Sequence, residues 1–244
     1  MADSAFGSWQ PVDRARAAAG GSADDRFGGS RTCALVGAVE FNADHFAAQK
    51  FDCVIAVDAG YGHLERFGVM PDLVVGDFDS LGYVPAHANV EVHPSHKDAS
   101  DIELAMERAF ERGFDTLVVY GCLSGRLDHT YGVLQLLAKF ARRGLRVFAV
   151  GDSFAVAALE GGKRSSLRFD AVESGMLSVF ALSDAAVGVD EIGLEYPLDK
   201  ATLTNDEPLG VSNEFIGRPA TVSVESGTLL VFFPLHAWGK MSVG

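Results

Sequence analysis

The sequence predicts an α/β domain, a mostly parallel sheet flanked by helices in a Rossmann-like plan, followed by an all-β sandwich. From Arg31 to about Gly151, short apolar runs alternate with segments of helical period. Several of the runs lack polar alternation, as strands covered on both faces do. After about Glu160 the segments become short and are separated by turn residues, and Thr221-Val222-Ser223-Val224 alternates polar and apolar. Alternating strands and helices give a parallel sheet wrapped by helices, whereas strands alone give a sandwich.

The expected strands of the first half are 34–39, 53–57, 73–75, 90–92, 116–120 and 146–150. Ile102, Ala105, Met106, Ala109 and Phe110 fall at helical spacing. Ser100 and Glu103 form a capping box at the start of that helix, and Gly113 ends it. A second helix is expected from about His129 to Arg143, with Val133, Leu134, Leu137 and Ala141 inward and Gly144 closing it. Gly161-Gly162 divides a domain of residues 31–160 from one of residues 161–244. Residues 1–30 are rich in Ala, Gly, Ser, Asp and Arg and lack an apolar core segment. They read as a disordered tail and not as a secretory signal.

A chain of 244 residues with 48% hydrophobic and 22% charged residues has an ordinary globular composition. No run approaches the ~20 apolar residues of a membrane helix. The net charge of −13 argues against a general nucleic-acid binder but leaves a nucleotide substrate open. Cys33, Cys53 and Cys122 form no C-x-x-C and read as buried reduced thiols of a cytoplasmic protein.

The carboxylates are the informative residues. In an open parallel sheet, ligands bind beyond the carboxyl ends of the strands. Asp58, then Asp77 and Asp79, then Asp98 and Asp101, then Asp128, all fall at such ends or in the loops that follow. Asp152 falls there too and reads as a turn or cap. In Val74-Val75-Gly76-Asp77-Phe78-Asp79-Ser80, alternation along an extended segment would converge Asp77 and Asp79 on one point, with Phe78 turned into the core. Two carboxylates on one point repel unless a cation lies between them, and such oxygen sites suit Mg²⁺ bound with substrate phosphates. Arg126, flanked by Ser124-Gly125, offers a fork for phosphate oxygens, and Lys97 adds a second cation. These are the parts of a phosphoryl-transfer site. Each residue also has a structural role open to it: Asp98 and Asp101 as helix-start acids, and Asp128 as a cap.

The order of motifs resembles the thiamine pyrophosphokinase family. The residues that carry the resemblance are Val57-Asp58-Ala59-Gly60, Pro71 to Ser80, Lys97-Asp98-Ala99-Ser100-Asp101 to Ala105, and Gly121-Cys122-Leu123-Ser124-Gly125-Arg126-Leu127-Asp128-His129. Glu195-Tyr196-Pro197-Leu198 and Gly210-Val211-Ser212-Asn213-Glu214-Phe215 continue it in the β region. The resemblance spans roughly residues 33–234. It implies an α/β nucleotide domain followed by a β-sandwich, a homodimer with its site at the subunit boundary, and transfer from ATP to thiamine that gives AMP and thiamine diphosphate with Mg²⁺. By motif position, Asp77, Asp79 and Asp101 would hold Mg²⁺ and the polyphosphate, and Arg126 and Asp128 would sit at the transferring group. Asp58, Lys97, Asp98, Ser100, Ser124, Gly125 and Arg126 form the implied ATP set. Ser212 and Asn213 would lie in the thiamine pocket, with Phe215 as an aromatic wall.

Two positions depart from the family pattern. Ala59 stands where a glycine is usual, so that turn is expected to differ, because alanine takes positive φ less cheaply. Ser124 also replaces a glycine but is small and can donate to phosphate. Direct in-line transfer is expected, with no serine or cysteine placed as a covalent nucleophile. Asp128 and Asp101 are both open as acceptors of the hydroxyl proton. Two rival readings are a phosphohydrolase with an aspartate nucleophile in the D-F-D segment, and a non-catalytic thiamine or nucleotide sensor.

Overall fold

The computed structural model describes residues 30–93, 99–163 and 165–244. The tail expected over residues 1–30 lies outside it except for Ser30, as do Lys97 and Asp98. Thr32–Val36 forms β1, Ala43–Ala47 α1, Cys53–Val57 β2, Gly60–Arg66 α2 and Leu73–Gly76 β3. Val90–Val92 forms β4, Asp101–Glu111 α3, Thr116–Tyr120 β5, Leu127–Arg142 α4 and Arg146–Val150 β6. The six strands run parallel in the order β4-β3-β2-β1-β5-β6. Their carboxyl ends therefore share one edge. The helices α1 and α2, of five and seven residues, escaped the sequence reading because so few turns display no period.

The second half contributes β7 (Phe154–Glu160), β8 (Ser166–Phe169), β9 (Met176–Ala181), β10 (Ala185–Ile192) and β11 (Leu198–Thr204). It continues with β12 (Asn213–Glu214), β13 (Ala220–Ser223), β14 (Thr228–Pro234), a 3₁₀ turn at Leu235–Lys240 and β15 (Met241–Val243). Strand β7 folds back antiparallel on β6, and β14, β9 and β12 extend the same sheet to ten strands. A second, antiparallel sheet has the order β11-β10-β13-β8-β15. The fold is thus a mixed sheet carrying helices, plus an antiparallel sheet. One wall of the expected sandwich is the continuation of the first sheet, a pairing that no local period encodes.

Burial follows the pleat. Cys33 and Leu35 of β1 join Ala105, Met106 and Ala109 of α3 and Leu137, Phe140 and Ala141 of α4 in one apolar layer. Ala34 and Val36 face the other way, with Phe46 of α1 and Tyr61 and Leu64 of α2. That second layer runs on without a break between the two sheets, through Leu177, Val179, Val189, Val222, Phe233 and Trp238. Covering on both faces explains the unalternated strands. At the start of α3, Ser100 accepts from the Glu103 N–H at 3.4 Å. The other arm of the capping box does not form, because the Glu103 carboxylate pairs with Lys139 on α4 at 2.7 Å.

Candidate active site

Asp58 follows β2, and Asp77 follows the adjacent strand β3. Asp101 opens α3. Carboxylate oxygens of Asp58, Asp77 and Asp101 lie within 4.8 Å of one another, and all three residues are half-buried. The Asp58 Oδ1 accepts from the N–H groups of Asp77 (3.1 Å) and Phe78 (3.4 Å). Gly76 makes this approach possible, since a Cβ there would overlap Asp58 Oδ1. Burial, together with the Asp101 and Asp77 charges, pushes the Asp58 carboxyl up to about 6 against the Phe78 hydrogen bond that lowers it.

The expected convergence of Asp77 with Asp79 is corrected by the backbone. Phe78 does enter the core, at 2% exposure, but with φ +61, so the segment is not extended there. Alternation therefore fails at that residue. Asp79 is exposed, and its N–H donates to Asp77 Oδ1 at 3.1 Å. Asp58 takes the third place in the cluster. The expected disturbance at Ala59 does not arise either. Asp58 carries the positive φ (+49), and Ala59 caps α2 with an ordinary φ of −64.

The loops after β1 and β5 meet at the same edge. Ser124 Oγ accepts from the Glu40 N–H at 3.2 Å, and Gly125 turns the chain with φ +80. Arg126 precedes α4 and forks onto Asp128, Nε to Oδ1 at 3.2 Å and an Nη to Oδ2 at 2.5 Å. Both side chains are exposed. The Arg126 hydrogen bond holds the Asp128 carboxyl below its usual range. Asp128 lies inside the first helical turn and is not the cap. Ser100 is the cap of α3, at the start of the helix that carries Asp101. Asp152 is exposed, and its carbonyl accepts from Asn42 Nδ2 at 2.8 Å, in keeping with a turn.

The β-region residues behave differently. Ser212 is exposed with φ +60, and its N–H donates to Ser178 Oγ at 3.0 Å. Asn213 is 4% exposed. Its Nδ2 donates to Glu191 Oε2 (2.5 Å) and to the Tyr196 carbonyl (2.7 Å). Its Oδ1 accepts from the N–H groups of Tyr196 and Glu214, both at 2.9 Å. Two donors and two acceptor sites are the whole capacity of a carboxamide. Phe215 is 2% exposed and packs edge-on against Phe169 at 5.0 Å. The structure thus gives Asn213 and Phe215 internal partners, and leaves Ser212 facing outward. Glu191, which no sequence signal singled out, is wholly buried beneath Asn213.

The mutual approach of three half-buried carboxylates, two after adjacent strands and one at the start of α3, fits a small hard cation, whose cis and trans oxygens in an octahedron lie about 3–4 Å apart. No helix among the described residues is long and apolar enough to cross a membrane.

Residues 44–149 match the family model described as thiamin pyrophosphokinase, catalytic domain. Residues 166–229 match that of the thiamin pyrophosphokinase vitamin B1 binding domain. The thiamine pyrophosphokinase of Bacillus subtilis is 27% identical over 183 residues, 72% of this chain and 85% of that protein. A crystal structure of thiamine pyrophosphokinase from Bacillus subtilis matches with a TM-score of 0.74 at 25% identity, covering 84% of this chain and 99% of the other. One from Geobacillus thermodenitrificans matches with a TM-score of 0.70 at 26% identity, covering 83% and 97%. These matches extend over both halves of the fold and over the carboxylate edge, and the chain belongs to the thiamin pyrophosphokinase family.

Proposed function

We propose that this chain is a thiamine diphosphokinase that transfers the pyrophosphoryl group of ATP to the hydroxyl of thiamine. The observation that carries the reading is the Asp58, Asp77 and Asp101 cluster at the carboxyl edge of the parallel strands, in a chain that matches both family domains. The thiamine hydroxyl oxygen attacks the β-phosphorus of ATP, the bond to the α-phosphate oxygen breaks, and AMP leaves. The hydroxyl proton passes to solvent or to a carboxylate. Asp77 and Asp101, with Asp58 beside them, would hold Mg²⁺ together with the polyphosphate. Bound there, the ion would neutralise charge on the transferring group. Asp79 supports Asp77 through its N–H.

Arg126 would exchange its exposed partner Asp128 for phosphate oxygens, which suits a guanidinium fork. Ser100, Ser124 and Gly125, and Lys97 and Asp98 beyond the described residues, complete the proposed nucleotide site. The parallel order on either side of β1 supports the Rossmann-like reading, with the nucleotide in the crevice at the strand ends. We divide the chain at residue 160 into an ATP-binding part and a thiamine-binding, dimerising part. Ser212 would touch thiamine, with Asn213 and Phe215 shaping its segment from beneath.

The working unit in this reading is a homodimer, with Ser212 of one subunit facing the carboxylates of the other. Exposed apolar side chains support it in both halves. Leu127 and Tyr131 lie near Arg126, and Met176, Tyr196, Leu209, Val211 and Ile216 lie in the β region. A cytoplasmic setting is supported by three free cysteines, two of them buried. The aspartyl phosphohydrolase and sensor readings are not favoured, since both family domains match and the metal carboxylates and Arg126 are present.

The test is to incubate purified protein with ATP, Mg²⁺ and thiamine and to identify both products. AMP should appear in step with thiamine diphosphate. ADP in step with thiamine monophosphate would overturn the β-phosphorus assignment.

A further inference from the structure

Glu191 is an unusual residue to find inside a sandwich. It lies on β10, paired with Val222 of β13, and has no exposed surface. Burying a carboxyl is costly unless hydrogen bonds offset the lost hydration. Only one of its oxygens has such a bond: Oε2 accepts from Asn213 Nδ2 at 2.5 Å. The other, Oε1, is buried without a hydrogen-bond partner among the described residues, beside Gly210. An apolar residue would fill the same space at lower cost, so the carboxyl calls for an explanation outside core packing.

The explanation lies with its partner, Asn213. Asn213 reaches from β12, on the edge of the ten-stranded sheet, to Glu191 in the facing sheet. The same carboxamide holds both backbone groups of Tyr196 and the N–H of Glu214. Tyr196 is 63% exposed. Ser212, next in sequence to Asn213, is exposed in a left-handed conformation that its surroundings must maintain. A carboxamide can flip or swing unless its ends differ in what they meet. The Glu191 oxygen joins the Tyr196 carbonyl in fixing which end of Asn213 carries the donors, and it engages the second donor.

We propose that Glu191 is a positioning residue that acts through Asn213 to hold the Tyr196 ring and Ser212 in place for thiamine. Glu191 does not touch the substrate. The proposal rests on the reading of Ser212 as thiamine-facing. Tyr196 presents an exposed aromatic side chain, which suits a substrate that is itself a cation with aromatic rings.

Kinetics and hydrogen exchange test it together. Glu191→Leu keeps the bulk and removes the acceptor. It should raise the thiamine KM about tenfold, the scale of one lost hydrogen bond, with the ATP KM and kcat within about twofold of wild type. Glu191→Gln keeps an acceptor and should stay within about threefold throughout. Amide exchange at Tyr196 and Glu214, the N–H groups that Asn213 Oδ1 holds, should quicken in the Leu variant and not in the Gln variant. Exchange needs no turnover, so it judges the Glu191–Asn213 link even if the wild-type enzyme makes no thiamine diphosphate.

A swap guards against a Leu variant that fails to fold. Asn213→Asp sets two carboxyls against each other, and adding Glu191→Gln supplies a donor between them. The double variant should bind thiamine at least about fivefold better than Asn213→Asp alone. Additive effects in the swap would overturn the proposal. So would a Leu variant with unchanged thiamine KM, or one in which kcat and both KM values fall or rise together.

Discussion

The carboxylate edge and the Ser212–Phe215 segment are both rich in motif residues, yet they spend their polar groups in opposite ways. At the edge, three carboxylates crowd together, burial and its two neighbours push Asp58 toward protonation, and Arg126 and Asp128 stand in solvent. In the β segment every hydrogen-bonding position of Asn213 is filled from within the protein, and Phe215 is core. An arrangement that is poorly satisfied on its own asks for a ligand. One that is fully satisfied is scaffold. Substitutions should therefore change rate without stability in the first region, and stability first in the second.

The sharpest break of this contrast is Asp77→Asn. Removing one preorganised electrostatic contributor costs on the order of 10²–10³ in rate. The melting temperature should hold or rise, because a like-charge contact with Asp58 and Asp101 is relieved. Asp79→Asn should cost at least about tenfold less in kcat, since its side chain stands outside the cluster. Equal losses from the two variants would return Asp79 to the metal set.

The second test lies in the other region. Phe215→Ala removes a ring packed on Phe169 and should cost about 3–5 kcal/mol, which lowers Tm by about ten degrees. Below its melting point, the protein should retain its ATP affinity. A variant that melts like the wild type but loses thiamine binding would make Phe215 a pocket wall after all.

What the sequence disclosed divides along the same line. The parallel strands, α3, α4 and the acid-bearing loops were readable because each is announced locally, by an apolar run, a helical period or a glycine. The joining of the two halves in one sheet was not, because β7 pairs with β6 and β14 through contacts distant in sequence. The motif order marks Asp58 as a nucleotide residue and not as part of the carboxylate trio. Its place there depends on β2 and β3 being neighbours and on the left-handed turn at Phe78. Glu191 was invisible for a different reason. The ladder with β11 slips between Val187 and Val189 and again before Glu191, so alternation along β10 does not reveal which face the glutamate takes.

Glu191 also makes the contrast visible in pH. Burial pushes its carboxyl from the ordinary 4.5 up to about 7, against the lowering effect of Asn213. Between those values the native state holds a proton that the unfolded chain has released. Stability therefore falls as pH rises through this window, and the loss is complete above about 7. Glu191→Gln has nothing to titrate there. Its advantage over the wild type should grow between pH 4.5 and 8 by on the order of 2 kcal/mol, measured by denaturant unfolding at each pH. Parallel profiles would mean that Glu191 ionises as freely as an exposed residue.

The smallest effect is the most discriminating, because it sets the two currencies against each other at one residue. Ser212 belongs to the β segment but is exposed like the edge residues, and it carries φ +60. A non-glycine residue there is strained, and glycine relieves the strain at some cost in unfolded-chain entropy. Ser212→Gly should leave stability unchanged or raise it by up to ~1 kcal/mol. If the hydroxyl meets thiamine, the same change should weaken thiamine binding several-fold, the scale of one lost hydrogen bond, and leave ATP binding alone. Melting curves with isothermal titration of thiamine read both effects. A stabilised variant with unaltered thiamine affinity would show that the left-handed turn is kept for the fold and that the thiamine contact lies elsewhere. A variant destabilised beyond glycine's chain-entropy cost would show that the serine side chain itself supports the turn, and would place Ser212 with Asn213 in the scaffold.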